Sequence, residues 1–391
     1  MQPLRGVTVV SLEQAIAAPY ASRHLADMGA RVIKVERPGT GDFARGYDSR
    51  VNGMSSHFVW VNRNKESLTL DIKDPRGNEV LRRLLARADV FIQNLAPGAA
   101  ARAGLGAAEL HARHPGLIVC DISGYGSPGP YETMKAYDLL VQSESGLLSV
   151  TGSGEEMAKV GISVSDIAAG MYAYSSILGA LLERARTGKG AHLDVSMLEA
   201  TAEWMGFPLY YTYGGQEPPA RAGAAHATIY PYGPFVARDE QVVLMAIQNE
   251  REWRGFCERF LERPAFAEDP AYATNAARSA NRDTLKAVID RRFAELDGDE
   301  ATSLLADVPV AYARVNSLAD VWNHPQLAAR GRWHEVDTPT GRVPALAPPG
   351  PRDPAPRMDP VPDLGEHTDA ILGELGMTAE ETGELRSGGV V

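Results

Sequence analysis

Residues 7–36, VTVVSLEQAIAAPYASRHLADMGARVIKVE, decide the fold class of this chain. Val7–Leu12 is a short apolar run that predicts a buried strand, and Ala17–Met28 reads as a helix that Gly29 ends. Arg31–Glu36 then predicts a second strand, which stops at a Pro-Gly turn. A strand, a helix and a second strand in so short a stretch indicate a βαβ unit, in which the two strands run parallel.

The same alternation continues through the first half of the chain. Asp74-Pro75 begins a predicted helix that runs to about Ala88, with the aspartate as N-cap and the proline at the first helical position. Continuous apolar strands between helices favour a parallel sheet covered on both faces, so we predict an α/β fold. The other predicted strands are Leu68–Ile72, Val90–Gln93, Leu117–Ile122 and Ala191–Val195, and the other predicted helices are Ala136–Leu148, Asp166–Ala185 and Met197–Tyr213.

The composition changes after residues 214–219, GGQEPP, and the elements beyond this break predict a smaller α+β domain. Residues 345–362 are rich in proline and read as an extended linker, after which one more helix is expected from Thr368 onward. The smaller domain is predicted to contain a hairpin of Phe235–Ala237 and Val242–Ile247 and helices near Arg251–Leu261 and Asp283–Glu295.

The length and charge of the chain exclude several classes of protein. Its 391 residues suffice for two or three domains with a large hydrophobic core. Its 39 basic and 50 acidic residues give a net charge of −11, which argues against binding nucleic acid or an anionic membrane surface. The uncharged stretch between Asp166 and Glu183 is too short for a membrane span and predicts a buried helix. Cys120 and Cys257 lie in apolar surroundings typical of buried thiols, and with no targeting segment in view we expect a cytoplasmic protein.

Nicotinamide and metal chemistry find little support in the sequence. The turn after the first predicted strand, residues 11–19 (SLEQAIAAP), contains no glycine, whereas a dinucleotide fold needs a glycine-rich turn there. Glu36 stands where an acid would bind a ribose, but it is weak evidence by itself. The nine histidines are scattered, so no metal site is predicted, and neither a Gly-x-Ser-x-Gly elbow nor a P-loop is present.

Asp166 stands out in residues 160–167, VGISVSDI, at the predicted start of a long helix. One interpretation is a helix N-cap, for which aspartate is a favoured residue. The other is a nucleophile that attacks an activated acyl group, with the helix N-terminus keeping the carboxylate ionised. The spacing of residues alone leaves both interpretations open.

Short motifs are spread along nearly the whole chain. They are PLRG (3–6), GARVIKVERP (29–38), NRNKES (62–67), QNLAPG (93–98), GYG (124–126), Tyr137-Asp138, Asp166 with its helix, GKG (188–190) before LDVSM (193–197), and GEHT (365–368). In this order and at these intervals they resemble the CaiB/BaiF family, the class III CoA-transferases.

The resemblance implies a Rossmann-like large domain with an inserted smaller α+β domain. It also implies an intertwined homodimer, in which each chain forms a ring threaded through the other. The boundaries that we predict are 1–200 plus 330–391 for the large CoA-binding domain, 201–225 for a linker and 226–329 for the small domain.

The resemblance assigns catalytic roles to residues that match the family pattern. Asp166 matches the nucleophilic aspartate, which exchanges an acyl group and CoA through covalent intermediates. Gln14 matches a glutamine near the reacting carbonyl, where its side chain or the N–H of Ala15 would stabilise oxyanion charge. Tyr137 and Asp138 match a pair close to the nucleophile.

The cofactor that the resemblance implies is coenzyme A, bound as an acyl-CoA substrate, without a metal ion or nicotinamide. The partners are therefore an acyl-CoA, small carboxylic acids and a second copy of the chain. Arg37, Arg102 and Lys135 match positions that face the CoA nucleotide and phosphates, and the other expected lining residues are Asn94, Leu95 and Met197.

Two departures from related patterns narrow the activity. Racemases of the same fold carry histidine where this chain has Tyr137, and tyrosine is a poor acid–base group at neutral pH. Formyl-CoA transferases place a glycine run over the site, whereas residues 221–227 here read RAGAAHA. This difference argues against oxalate or formate as the substrate.

Residues 41–48 (GDFARGYD) and 55–60 (SSHFVW) resemble the branch that acts on C4–C5 dicarboxylates. The predicted reaction therefore moves CoA from succinyl-CoA, or a related thioester, to itaconate, mesaconate, citramalate or malate. A distal carboxylate needs a cation, for which arginine offers two parallel hydrogen bonds. The candidate substrate residues are Arg45 first, then Arg50, Arg221 and His226.

Three alternatives stay open. They are an intramolecular mesaconyl-CoA C1–C4 transferase, an α-methylacyl-CoA racemase-type isomerase and an inactive acyl-CoA-binding protein. The presence of both Gln14 and Asp166 argues against an inactive protein, because a binding protein needs neither.

Overall fold

A computed structural model describes residues 2–350 and 355–391. In the described residues the strands are β1 (Thr8–Leu12), β2 (Arg31–Glu36), β3 (Lys65–Thr69), β4 (Val90–Gln93), β5 (Ile118–Ser123), β6 (Gly152–Ser153), β7 (Glu156–Met157), β8 (His192–Ser196), β9 (Tyr232–Val236), β10 (Val242–Ala246), β11 (Ala311–Arg314), β12 (Trp333–Thr338) and β13 (Gly341–Leu346).

The α-helices are mostly short, with one long exception, α8. They are α1 (Ala17–Asp27), α2 (Ser56–Asn62), α3 (Pro75–Leu85), α4 (Ala99–Arg102), α5 (Ala107–Arg113), α6 (Asp138–Glu144), α7 (Leu147–Val150), α8 (Val164–Thr187), α9 (Met197–Trp204), α10 (Gly206–Tyr211), α11 (Glu250–Arg259), α12 (Asn275–Ala280), α13 (Arg282–Phe293), α14 (Gly298–Ala306), α15 (Leu318–Trp322), α16 (Pro325–Ala329), α17 (Thr368–Glu374) and α18 (Ala379–Ser387). Short 3₁₀ helices lie at Phe43–Gly46 and Pro264–Ala267.

The central sheet is parallel and has six strands in the order β3-β2-β1-β4-β5-β8. Val9 of β1 pairs with Val32 on one side and with Val90 on the other. The order of strands reverses between β1 and β4, and at such a point the carboxyl ends of the strands leave a crevice for a ligand. The α/β fold with a parallel sheet is confirmed.

Alternate residues of each strand feed two separate hydrophobic cores. Val9 of β1 packs into a core with the buried residues of α1 and α8, whereas its neighbour Val10 packs into a core with α3, α17 and α18. This alternation is why the strands read as continuous apolar runs, as expected for a sheet that helices cover on both faces. The C-terminal segment joins the second core, where the N–H of Asp71 donates to the carbonyl of Val390 (2.7 Å).

The chain divides into two compact units. The larger contains Met1–Leu147, Val160–Gly206 and Gln326–Val391, and the smaller contains Leu148–Lys159 and Phe207–Pro325. Helices α9 and α10 occupy part of the segment 201–225 that we predicted as a linker.

The smaller unit contains an antiparallel sheet of β11-β10-β9 and its own apolar core. The predicted hairpin is confirmed as β9 and β10, with Phe235 opposite Val243. Two aromatic residues of α11, Trp253 and Phe256, are buried against this sheet, and so is Phe260, which directly follows the helix. Cys257 is a buried free thiol here and Cys120 is another in the larger unit, as predicted.

Several predicted elements need correction. The strand expected at Leu68–Ile72 runs from Lys65 to Thr69, because the charged Lys65 is buried with ionic partners and so belongs to the strand. Helix α8 is not wholly buried, since Leu182 is 71% exposed. The predicted helix Met197–Tyr213 is two helices, α9 and α10, and β13 extends into the predicted linker 345–362, of which residues 351–354 lie outside the described residues.

None of the described helices has the length and apolar character that a membrane span requires.

Candidate active site

A cleft of about 980 Å³ lies at the carboxyl ends of β1 to β4, where the strand order reverses. It brings together Gln14, Arg37, Leu95 and Arg102, four of the residues that the sequence placed near CoA. Asn94 contacts the same place indirectly, through hydrogen bonds with the backbone of Gln14. Lys135 and Met197 do not line this cleft; Lys135 is exposed and Met197 is buried in the core beside α8.

Two further cations of the cleft were missed in the sequence. Lys73 is exposed at the rim, and Arg82 donates to Asn78 (2.7 Å) while its guanidinium lies 3.5 Å from Glu109. Together with Arg37 and Arg102 they give the cleft four basic side chains, which suits a polyanionic ligand. Their positions in the chain could have identified them, because Lys73 follows the carboxyl end of β3 and Arg82 lies on the next helix.

The loop after β1 holds Gln14 from several sides. The N–H of Gln14 donates to the side-chain carbonyl of Asn94 (2.9 Å), and the Asn94 amide donates back to the Gln14 carbonyl (2.9 Å). The N–H of Phe43 donates to Gln14 Oε1 (3.1 Å). The side-chain oxygen is thus occupied, which leaves the Gln14 amide N–H groups as donors toward a ligand.

The N–H of Ala15 has a protein partner, which corrects our expectation that it serves an oxyanion. It donates to Asp42 Oδ1 (3.0 Å), and Ala15 adopts a left-handed backbone conformation with φ of 60°. The Ala15 N–H is thus satisfied by a carboxylate. Of the two donors that we expected at the oxyanion, only the Gln14 side-chain amide is available.

A group of buried charges lies directly beneath this loop. It consists of Glu13, Lys34, Asp42 and Lys65, which we call the Lys34 cluster. Lys34 Nζ lies 2.8 Å from Asp42 and 3.3 Å from Glu13, and Lys65 Nζ lies 2.6 Å from the same Glu13 oxygen. Ser11 and Ser22 donate to the other Glu13 oxygen (2.6 Å each). Each buried carboxylate therefore has a cationic partner, as buried charges require.

Burial and ion pairing oppose each other in the ionisation of this cluster. Burial alone would raise the pKa of Glu13, but the ammonium groups of Lys65 and Lys34 lower it to about 2. Burial and the neighbouring Lys34 charge lower the pKa of Lys65 to about 7, although Glu13 opposes them. The carboxylates of Glu13 and Asp42 hold the pKa of Lys34 above its usual range against the effect of burial. Glu13 is therefore ionised at neutral pH.

Asp166 lies in the first turn of α8. Unlike the carboxylates of the Lys34 cluster, it has a second acid rather than a lysine as its charged neighbour. The N-cap of the helix is Ser163, so Asp166 is not the N-cap that one interpretation of the sequence predicted. Instead Asp138 occupies the helix N-terminus, because its Oδ1 accepts from the N–H of Ser165 (2.8 Å) and, at 3.4 Å, from that of Asp166. Burial, and secondarily the Asp138 charge, raise the pKa of Asp166 to about 7.

This result corrects the expectation that the helix N-terminus keeps Asp166 ionised. The free N–H groups are already bound to Asp138, which in turn accepts from the Gln142 amide (2.7 Å). Asp166 is therefore a partly buried carboxyl group poised to exchange its proton near neutral pH.

Close helix packing brings Asp166 near the Gln14 loop. Gly170 lies one turn after Asp166 on α8, and a methyl group at Gly170 would lie only 2.7 Å from the carbonyl oxygen of Ala17 on α1. Glycine permits this approach of the two helix backbones. Because Ala17 begins the helix that follows the loop, the first turns of α1 and α8 stand side by side.

Tyr47 is a site residue that the sequence reasoning missed. Burial, and then the charges of Asp42, Asp166 and Tyr137, raise the pKa of Tyr47 to about 12. The phenol of Tyr47 therefore lies within electrostatic range of both Asp42 and Asp166. Tyr137, placed near the nucleophile by the sequence, belongs to the same surroundings and is largely exposed. The signal for Tyr47 lay in the segment 41–48, which we had searched only for cations.

Arg45, our first candidate for a distal substrate carboxylate, is engaged elsewhere. Its guanidinium donates to both carboxylate oxygens of Glu36 (2.9 and 2.8 Å) and lies 3.8 Å from the centre of the Phe58 ring. Burial opposes ionisation of Glu36, but Arg45 lowers its pKa. Arg45 is thus a structural partner of a buried acid. Arg50 is exposed, and no partner of its guanidinium is found among the described residues.

Arg221 and His226 belong to the smaller unit, and both have structural contacts there. The Arg221 guanidinium donates to the carbonyls of Gly154 (2.8 Å), Ser149 (3.1 Å) and Glu155 (3.2 Å). His226 Nδ1 accepts from the N–H groups of Thr228 and Ile229 (3.1 Å each), and its ring stacks on Tyr232. These contacts explain both side chains without a substrate.

The sequence as a whole matches a known family. The model of the CoA-transferase family III matches residues 4–368, which is most of the chain. The chain belongs to CoA-transferase family III. It is therefore an enzyme that acts on CoA thioesters, and the resemblance to CaiB/BaiF proteins drawn from its motifs is confirmed.

Relatives of this family III enzyme carry different acid substrates in their names. Succinyl-CoA:glutarate CoA-transferase of Mus musculus is 36% identical, covering 96% of this chain and 87% of that protein. Acetyl-CoA:oxalate CoA-transferase of Acetobacter aceti is 34% identical, covering 84% of each. A solved CAIB/BAIF family protein from Brucella suis has a TM-score of 0.84 and 35% identity over 96% of this chain and 99% of that one.

Proposed function

We propose that this family III CoA-transferase moves CoA between the thioester of a C4–C5 dicarboxylic acid and a free C4–C5 dicarboxylic acid, through covalent intermediates on Asp166. The observation that carries the proposal is the environment of Asp166, a partly buried carboxyl group without a cationic partner among the described residues and with a pKa of about 7. A poorly solvated carboxylate is a stronger nucleophile than a hydrated or ion-paired one.

The reaction needs four displacements that conserve the acyl activation. The Asp166 carboxylate attacks the thioester carbonyl, the C–S bond breaks, and a mixed anhydride and CoA thiolate form. The thiolate then attacks the Asp166 carbonyl carbon, which releases the first acid as its carboxylate and leaves an aspartyl-CoA thioester. The second acid attacks that thioester to give a new anhydride, and the thiolate attacks its acyl carbon, which restores the Asp166 carboxylate. No proton or electron is gained or lost overall.

The residues around Asp166 support these steps. The Gln14 amide is the donor available to the oxyanion that forms at each attack, because its side-chain oxygen is held by Phe43. The basic side chains of the cleft at the strand ends supply contacts for the phosphates of CoA. Burial keeps water away from the anhydrides, which would otherwise hydrolyse.

The covalent intermediate can be tested directly. The enzyme is mixed with succinyl-CoA, quenched with hydroxylamine and digested, and the peptide that contains Asp166 is examined by mass spectrometry. We expect the hydroxamate of Asp166, and we expect none in Asp166→Asn or when free succinate replaces the thioester. Full CoA exchange by Asp166→Ala would refute the mechanism.

The dicarboxylate preference rests on the relative named for succinyl-CoA and glutarate and on the segment 41–48. With Arg45 paired to Glu36, Arg50 is the exposed arginine of this region that is left for a distal carboxylate. Arg50→Ala should raise the KM for glutarate, succinate, itaconate and mesaconate by roughly tenfold, the loss of one charge-assisted pair. The KM for a monocarboxylate should hardly change.

A panel of acids separates the remaining activities. Equal use of monocarboxylates and dicarboxylates, or a preference for oxalate, would contradict the substrate class. Exchange of CoA within mesaconyl-CoA, with none to added acids, would indicate the intramolecular transferase. Exchange of the α-proton of a 2-methylacyl-CoA with deuterated solvent, without CoA transfer, would indicate a racemase.

We further propose that the enzyme is a homodimer. Tyr210 and Tyr213 in the smaller unit are each 82% exposed, and Phe207 and Leu209 beside them are also exposed. Leu182 on α8 in the larger unit is exposed as well. Large apolar side chains grouped at a surface are typical of protein contacts. Light scattering during size-exclusion chromatography should give twice the mass of the 42.1 kDa chain, and Tyr210→Glu with Tyr213→Glu should lower it.

A further inference from the structure

Gln14 is flanked on both sides by residues that are tied to one buried ammonium group. The residue before it, Glu13, lies 3.3 Å from Lys34 Nζ. The residue after it, Ala15, donates its N–H to Asp42, whose other carboxylate oxygen lies 2.8 Å from the same Lys34 Nζ. Lys34 and Asp42 are wholly buried, so neither charge is solvated by water instead.

Asp42 also acts on the side chain of Gln14 through its own peptide. The residue that follows it, Phe43, provides the N–H that binds Gln14 Oε1. Asp42 itself has three more contacts. Its carboxylate accepts from the N–H of Ala44 (2.9 Å) and pairs with Lys34, and its N–H donates to Glu36 (3.0 Å). One buried residue thus contacts both the backbone after Gln14, through its carboxylate, and the Gln14 side chain, through its peptide bond to Phe43.

Ala15 has an unfavourable backbone conformation, which the contacts around it must stabilise. A left-handed φ of 60° is unfavourable for alanine, which has no side-chain polar group to stabilise it locally. Strained residues persist only where the surrounding structure imposes them, and they are frequent at functional sites. The Asp42 carboxylate stabilises this conformation, because it accepts the Ala15 N–H.

We propose that Asp42 is a positioning residue for the transfer reaction, holding Ala15 in its left-handed conformation so that the Gln14 amide is aimed at the reacting carbonyl. Lys34 keeps Asp42 in place. This inference rests on the proposed role of Gln14, and it assigns to Asp42 no contact with the substrate.

A double-mutant cycle in kcat tests the inference, with succinyl-CoA and glutarate as substrates. Asp42→Asn retains the shape and an acceptor for Ala15 but loses the charge pair with Lys34. We expect it to lower kcat about 30-fold, the scale of a small misplacement of a catalytic group, with the KM for succinyl-CoA within about threefold. In the Gln14→Ala background the same change should lower kcat less than about twofold, because Asp42 acts through Gln14.

Asp27→Asn is the matched control. Asp27 is a buried carboxylate of the same unit, paired with Arg23 and Arg63 and not in contact with the Gln14 loop. Any loss of activity that it causes should be the same factor in both Gln14 backgrounds. If Asp42→Asn also lowers kcat by equal factors in both, its role is only structural and the inference is overturned.

A second variant keeps the test valid if Asp42→Asn does not fold. Ala15→Val leaves every buried charge in place but makes the left-handed conformation much less accessible, whereas Ala15→Gly leaves it accessible. We expect Ala15→Val to lower kcat about tenfold and Ala15→Gly to lower it much less than Ala15→Val does. Full kcat in Ala15→Val would overturn the inference. Lack of CoA transfer by the wild-type enzyme, or a Gln14→Ala variant as fast as wild type, would instead refute the proposed function.

Discussion

Two groups of acidic residues in the larger unit are both withdrawn from water, yet they ionise in opposite ways. In the Lys34 cluster every carboxylate lies within 3.3 Å of an ammonium group, and the pKa of Glu13 falls to about 2. Asp166 has another carboxylate, Asp138, as its charged neighbour, and its pKa rises to about 7. Burial opposes ionisation in both places and is the main cause of the raised pKa of Asp166, whereas at Glu13 the two lysines overcome it.

The difference separates carboxylates that hold the fold from one that reacts. A carboxylate that is neutralised by lysine is a weak nucleophile, because its charge is already compensated. A carboxylate that shares its surroundings with a second acid gains more when an acyl group removes its charge. Proximity to a buried lysine therefore marks the acids of the Lys34 cluster as structural, although they lie close to the reacting groups.

The largest expected effect comes from Asp166→Asn. CoA transfer should fall by about 10⁴-fold, because no nucleophile remains. The free energy of unfolding at pH 8 should nevertheless rise by about 2 kcal/mol. Since the folded-state pKa of Asp166 is raised, stability is lost as the pH climbs from about 4 to about 7, and the neutral amide avoids that loss.

Glu13→Gln is the comparison for this stability gain. It is expected to destabilise the fold at pH 8, because the buried ammonium group of Lys34 loses one of its two carboxylate partners. The two variants should thus change the midpoint of urea unfolding in opposite directions. A stability loss in both would mean that Asp166 is held by partners like those of the Lys34 cluster.

Lys34→Met should give the next largest effect, on stability. Removing one member of a buried ion pair leaves an unpaired charge, so the free energy of unfolding should fall by about 3–5 kcal/mol. The control is Lys286→Met, which removes an exposed pair with Asp290 (2.6 Å) and should change stability by less than about 0.5 kcal/mol. If urea titrations give the same decrease in the free energy of unfolding for both variants, then burial does not make the ion pairs of the Lys34 cluster more important for stability than an exposed pair.

Asp138→Asn should give the smallest of the three effects, on the pH dependence of activity. Its side-chain oxygen can still accept from Ser165, but the negative charge beside Asp166 is gone. The acid limb of kcat/KM should therefore move down by about one pH unit, while the larger contribution of burial keeps it above 4. Asp194→Asn, which removes another carboxylate of the same unit, should leave the limb where it is; a shift of equal size there would point to net charge alone.

The βαβ framework could be predicted because its information is local. The apolar runs of β1, β2, β4 and β5 and the Asp74-Pro75 start of α3 appear directly in the sequence. The start of β3 was misplaced for a physical reason: Lys65 is charged, and its burial depends on the distant Glu13 together with the Pro19 carbonyl and the Asn62 side chain. Patterns of hydrophobicity treat such a residue as exposed.

The electrostatics of the site could not be predicted, because each decisive partner is remote. Asp138 and Asp166 are 28 residues apart, and the sequence did not reveal that Asp138 would bind the helix N-terminus first. The sequence predicted that Arg45 is free to bind a substrate, whereas in the structure it donates to Glu36, nine residues earlier. The spacing around Asp166 left the N-cap and nucleophile interpretations open, and only the family resemblance favoured the nucleophile.

The contact of the C-terminal segment with the cleft has a consequence for biosynthesis. Gly389 lines the cleft, and Val390 accepts from Asp71, so this wall is complete only when the ribosome has added more than 300 residues after Asp71. At 5–20 residues per second, that interval lasts about 15 to 60 seconds. The cleft of the nascent enzyme therefore lacks this wall until the C-terminal segment has emerged and docked beside β3.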